Sequence, residues 1–183
     1  MRELSLHILD LLENSLEAGA SRIDVEISED TLRNKLVISV TDNGRGMDAE
    51  TLQRATDPFF TTRATRSVGL GIPLLKAAAE RCNGSLKISS RPGEGTQVVV
   101  EFQRDHLDRA PLGDIASTLL SVILSRHKVD LHFKHRVDGR EFEFDTQEMR
   151  RILGDVPLDH HRVRAWLEDF IAEGYRDLYS NQD

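Results

Sequence analysis

The sequence predicts an α/β sandwich for its first 104 residues, one layer of sheet against one of helix, followed by a smaller α+β unit. Three observations carry this. Two stretches, 2–18 and 72–82, repeat apolar side chains at helical spacing. Four short runs rich in Val, Ile and Leu, at 23–28, 35–41, 86–90 and 97–102, read as strands. Turn residues separate them, and two helices with at least four strands in that order make two packed layers.

In the first helix Leu4, Ile8, Leu11, Leu12 and Leu16 form the apolar face and Gly19 ends it. Its other face is a polar stripe of Glu3, His7, Asp10, Asn14 and Glu17, at steps of three and four. Ile23, Val25 and Ile27 then alternate with polar residues, and Lys35–Thr41 completes a hairpin. The turn Asp42-Asn43-Gly44-Arg45-Gly46-Met47 follows, with a short helix near Asp48–Ala55. Residues 57–71 mix Pro, Gly, Thr and Arg without periodicity and read as a long loop. Asn83-Gly84 stops the next helix, and Arg91–Gly95 turns between the last two strands.

Beyond Phe102 the pattern changes. A helix is expected over Ile115–Arg126, and a hairpin over Val129–Val137 and Glu141–Phe144 about Asp138-Gly139. Asp145 with Glu148 has capping-box spacing for a helix to Leu153, and Asp159 would cap one running to Gly174. A boundary is placed near 104–112, giving a unit over 1–104 and a small α+β unit over 105–183.

Composition narrows the function classes. The chain has 183 residues, 39% hydrophobic and 30% charged, with a net charge of −7. That balance disfavours electrostatic wrapping of nucleic acid. Residues 105–183 hold 11 basic against 16 acidic side chains and so carry most of the excess. No run reaches the roughly 18 apolar residues of a membrane span, and Glu3 interrupts any signal-like start, so a cytoplasmic protein is expected. The single cysteine, Cys82, excludes an internal disulfide and reads as a buried small side chain. His132 and His135 would face opposite sides of a strand, and His160 and His161 would splay, so no histidine metal site is expected. His7, one turn before Asp10, reads as a surface or pocket-edge residue able to bond it. Trp166, Leu167 and Phe170 read as core.

Four features occur in one order: the stripe with Asp10 and Asn14, the Asp42–Met47 turn, Gly69-Leu70-Gly71 opening a helix, and Gly93-Glu94-Gly95-Thr96 before a strand. Together they resemble the ATP-binding domain of the GHKL superfamily, shared by DNA gyrase, the 90-kDa heat-shock chaperones, histidine kinases and MutL. Leu12–Asp24 resembles the MutL form of the first motif. Pro58–Arg63 and the two glycine motifs resemble the histidine-kinase forms. The resemblance implies a Bergerat-type fold, a mixed four- to five-stranded sheet with helices on one face.

Each motif has a physical rationale. An amide oxygen such as that of Asn14 suits Mg²⁺, which prefers hard oxygen donors, and the resemblance makes Asn14 the metal ligand. A carboxylate at Asp42 can accept from the exocyclic amine of adenine, while Gly44 and Gly46, before Met47, let the backbone approach the base. Gly69 and Gly71, flanking Leu70, would offer backbone N–H groups at a helix start to phosphate oxygens. Thr96 would complete the adenine pocket. The resemblance makes residues 57–69 a nucleotide lid, with Thr61, Thr62, Arg63 and Arg66 toward the phosphates and Phe59 and Phe60 packed beneath. ATP and Mg²⁺ are the implied cofactors.

Two departures matter. Hydrolysing members carry a glutamate general base four residues before the asparagine, and here that position is Asp10, one methylene shorter; Glu13 is not that residue. Ser67 stands where histidine kinases usually have a further glycine. The chain starts nearly at the first motif, without the phosphoacceptor helix of a self-contained histidine kinase. The leading expectation is therefore a stand-alone, nucleotide-gated regulator or a kinase acting in trans on a protein partner, contacted through residues 105–183. An anti-sigma-like serine kinase and a slow MutL-like ATPase clamp are the rivals. Nothing in the sequence fixes the oligomeric state, homodimer included.

Overall fold

The structure is a computed structural model that describes residues 3–57 and 70–180. Its elements run α1 (Leu4–Glu17), β1 (Arg22–Asp30), β2 (Lys35–Asp42), α2 (Ala49–Thr56), α3 (Gly71–Arg81), β3 (Ser85–Arg91), β4 (Gly95–Gln103), α4 (Ile115–Ile123), β5 (Asp130–Val137), β6 (Arg140–Asp145), α5 (Thr146–Leu153) and α6 (His161–Tyr179). Every strand expected from the sequence forms, in one mixed six-stranded sheet of order β3-β4-β2-β1-β5-β6.

Burial alternates along the strands. Ile23, Val25 and Ile27 on β1 face inward beside Val40 and Ile38 on β2, and Leu131 and Phe133 on β5. The helices cover that face, and the opposite face carries ion pairs such as His132 between Asp24 and Glu143. The carboxylates' hydrogen bonds outweigh partial burial and hold His132 above its ordinary range.

The division at 104–112 falls inside one sheet and one core. The hairpin of β5 and β6 does not form a sheet of its own, because β5 pairs in parallel with β1 from Arg22↔Asp130 to Glu29↔Val137. Nor is the connector a loose tether. α1 has no side-chain cap, and its first two N–H groups find partners there instead: Leu4 N donates to Pro111 O at 2.9 Å and Ser5 N to Leu112 O at 2.8 Å.

Three further readings change. α6 is capped by His160, whose Nδ1 accepts from Arg162 N, rather than by Asp159, and it continues past Gly174 to Tyr179. Gly174 permits a close approach instead of a stop: a Cβ there would sit 2.2 Å from the Phe142 ring. His160 and His161 do not splay; their rings lie 4.5 Å apart. Leu167 is core and Phe170 packs on it, but Trp166 is half exposed. Cys82 is buried as expected, and burial pushes its thiol up. Among the described residues no helix is long and apolar enough to cross a membrane.

Candidate functional site

α1, the end of β2 and the start of β4 meet around a cavity of about 370 Å³. Asn14, Asp42, Gly46, Met47 and Thr96 all line it, with Leu11, Val40, Ile72 and Val98 as apolar wall. Segments far apart in the chain converge because Asp42 and Thr96 are paired across β2 and β4. An apolar slot with few convergent polar groups suits a flat heteroaromatic base.

Asp42 is the buried anchor. Its Oδ2 accepts from Ser15 Oγ at 2.8 Å, and its Oδ1 accepts from Gly44 N at 2.8 Å. The carboxylate is therefore oriented before any ligand arrives. The β4 side is fixed likewise: Ser90 Oγ accepts from Met47 N at 2.8 Å and lies 2.8 Å from Thr96 Oγ1. Sequence reasoning misses Ser15 and Ser90. Ser15 does carry a signal, since it continues the buried row of Ile8, Leu11 and Leu12 as a hydroxyl on an apolar face.

The turn between them is clamped on both sides. Arg45 N donates to Ala18 O, Gly93 N donates to Arg45 O, and Asn43 Oδ1 accepts from the backbone of Ser21 and Arg22. Gly46 adopts φ +67, and a Cβ there would lie 1.9 Å from Arg91 O. Gly46→Ala is thus expected to cost about 3 kcal/mol or more and to open the cavity. Thermal melting against Gly93→Ala, where φ is also positive but space is open, checks this: the Gly46 variant should melt clearly lower.

Asp10 lies one turn before Asn14 but not in the cavity wall formed by the described residues. It rests against the first turn of α3, where a Cβ on Gly71 would come within 3.1 Å of Asp10 Oδ2. Burial holds this carboxyl above its ordinary range. Leu70 is exposed just before α3, and Gly71 opens the helix. His7 is buried, at the edge of a small cavity that it lines with Leu74 and Cys82 and that is separate from the one around Asp42. Its Nδ1 has no hydrogen-bond partner among the described residues, and no bond joins it to Asp10; burial, followed by the N-terminal charge, lowers its pKa. Phe59, Phe60, Thr61, Thr62, Arg63, Arg66, Ser67 and Gly69 lie outside the described residues.

Residues 2–106 match the family model of histidine kinase-, DNA gyrase B- and HSP90-like ATPases. The chain belongs to that family. This ATP-binding domain includes every element around the cavity, from α1 to β4. Relatives include the sensor protein kinase FleS of Pseudomonas aeruginosa, 42% identical over 89 residues, covering 49% of this chain and 22% of that one. Sporulation kinase C of Bacillus subtilis is 33% identical over 105 residues, covering 56% and 24%. The non-motile and phage-resistance protein of Caulobacter vibrioides is 32% identical over 111 residues, covering 56% and 13%. The matched region thus spans less than a quarter of the length of each of these relatives.

Proposed function

We propose that the chain binds Mg-ATP in this cavity and catalyses transfer of its γ-phosphoryl group to a side chain presented by a protein partner, with ADP leaving, as a kinase working in trans. Adenine would sit against Asp42 and Thr96, with Gly46 and Met47 in the wall at its edge; Gly44, whose missing Cβ makes room for Ala18, supports the turn from outside the cavity. The triphosphate would reach toward Gly71, where the first turn of α3 presents backbone N–H groups. Asn14 would hold a Mg²⁺ ion: it lines the cavity with an amide oxygen, and Mg²⁺ bound mainly by phosphates and water needs only such a lone protein oxygen. There it would neutralise phosphate charge.

The observation that supports transfer over hydrolysis is Asp10. The residue at the base position is short and packed on Gly71, and loss of about 1 Å of reach can cost a general base orders of magnitude in rate. The relatives' names, sensor protein kinase and sporulation kinase, agree with phosphoryl transfer. A second reading, slow hydrolysis by a conformational clamp, draws on the raised Asp10 carboxyl, since a base gains from a higher pKa.

Phosphate release from Mg-ATP separates the two. The chain alone should release negligible phosphate, unchanged in Asp10→Asn, while γ-label moves to an added acceptor protein. Steady release by the wild type that falls about 100-fold in Asp10→Asn would establish hydrolysis instead.

A further inference from the structure

The part of the chain outside the family match carries an unexplained surface. A groove of about 380 Å³ runs between α5 and α6, lined by Met149, Ile152, Leu153, Arg162, Val163 and Trp166. Ile152 is 85% exposed and Trp166 50%, with Val156 nearby at 45%. Such clustering of large apolar side chains marks a contact surface more than scattered exposure does. It is also rigid. Trp166 stacks on Phe170 with ring centroids 5.2 Å apart, and Phe170 in turn packs on Phe142 and Phe144.

The rim decides what the groove fits. Exposed Glu148 and Arg151 on α5, exposed Arg162 on α6, and exposed Asp155 and Asp159 in the segment between them carry both signs, and none of the five has a side-chain ion pair among the described residues. Neighbouring Arg150 and Arg164 are already committed to Asp130 and Glu168. A strongly acidic or basic partner helix would satisfy one sign and meet repulsion from the other. A small apolar ligand would find no converging polar groups to orient it. A surface carrying charges of both signs around an apolar centre can complement itself, when a two-fold axis sets the basic groups of one copy against the acidic groups of the other.

We propose that the α5–α6 groove is a two-fold interface between two copies of this chain. The exposed Ile152 of each copy enters the apolar groove of the other, and the arginines of one rim pair with the carboxylates of the opposite rim. This surface is independent of the nucleotide cavity, which is built from other elements.

Sedimentation velocity on the full chain over a micromolar to millimolar range tests it. Trp166 is the only tryptophan of the chain, so its emission should shift to the blue as dimer forms. Ile152→Glu should raise the dimer dissociation constant about 100-fold and abolish the concentration-dependent shift, while melting with the wild type at dilutions where both are monomeric, because the side chain is exposed. Arg151→Glu with Arg162→Glu, and separately Glu148→Arg with Asp155→Arg and Asp159→Arg, should each be monomeric, and mixing the two should restore the dimer. A wild type that stays monomeric overturns the proposal, as does a dimer indifferent to Ile152→Glu. Charge-swapped chains that fail to pair on mixing overturn the rim pairing.

Discussion

Asp42→Asn should lower the affinity for ATP about 100-fold while leaving the fold intact. The carboxylate accepts from Ser15 Oγ and Gly44 N on its inner side, and its remaining lone pairs face the cavity. A hydrogen bond to a charged acceptor contributes about 1.5 to 3 kcal/mol. An asparagine can still accept from Gly44 with its one oxygen, and its amide N–H groups then face Ser15 Oγ, which accepts once its own proton turns to Leu11 O, and the exocyclic amine of adenine, where a donor would face a donor. The loss at the base is therefore larger than removal of one bond. Isothermal titration with ATP, paired with thermal melting, checks the prediction: affinity should collapse while the melting temperature moves by only a few degrees. An unchanged affinity would place the base elsewhere.

Glu29→Gln should destabilise the whole molecule, through a network remote from the nucleotide site. Glu29 Oε1 accepts from Tyr179 Oη at 2.6 Å and lies 3.2 Å from His135 Nε2, while Oε2 accepts from Arg104 Nε at 3.2 Å. His135 is fully buried, and its Nδ1 lies 3.1 Å from Tyr175 Oη. The network ties the end of α6 to β1, β5 and the residue after β4. Burial pushes the Glu29 carboxyl up. The hydrogen bonds from His135 and Tyr179, the charge of His135 and the bond from Arg104 outweigh it, bringing the pKa from 4.5 to about 2. Burial first, then the Tyr179 and Glu29 charges, push Tyr175 far upward.

That depression corresponds to about 3 kcal/mol of stability. Because the folded value lies below the unfolded one, the contribution is complete above about pH 4.5 and disappears as pH falls toward 2. Glu29→Gln should therefore lower the melting temperature by about 6 to 12 °C at neutral pH. The gap between the variant and the wild type should close on acidification through that window. A variant that melts with the wild type at pH 7 would show that the network contributes little.

What the sequence makes legible is what neighbours in the chain determine. The period of Leu4, Ile8, Leu11 and Leu12, the alternation of Ile23, Val25 and Ile27, and the Asp138-Gly139 turn all lead directly to elements observed. The pairing of β5 with β1 is not legible, because a parallel ladder joining residues so distant in the chain leaves no local mark. Glu29 and His135 leave a faint one: each continues the inward parity of its strand, after Ile27 and Phe133 respectively. Two polar residues at core positions on adjacent strands imply a buried bond, but only once those strands are known to be adjacent.

The site shows the same division. Asp42, Gly46 and Thr96 stand out through their motifs, and the sheet register brings them together. Ser15 and Ser90, which orient the motif residues, belong to no short pattern of their own. Asp10 is legible as a residue but not as a contact, since its packing on Gly71 depends on how α1 and α3 cross. Trp166 is misread for a related reason: helical spacing with Leu167 and Phe170 cannot tell the core edge from an exposed groove.

The most direct test of the central reading is a calorimetric titration of the wild-type chain with ATP and Mg²⁺, repeated with GTP. The cavity with Asp42 preset by Ser15 and Gly44 predicts one ATP per chain and at least about 100-fold weaker GTP, whose exocyclic position presents a carbonyl oxygen to the carboxylate. Equal binding of both nucleotides, or no binding of ATP, would contradict it.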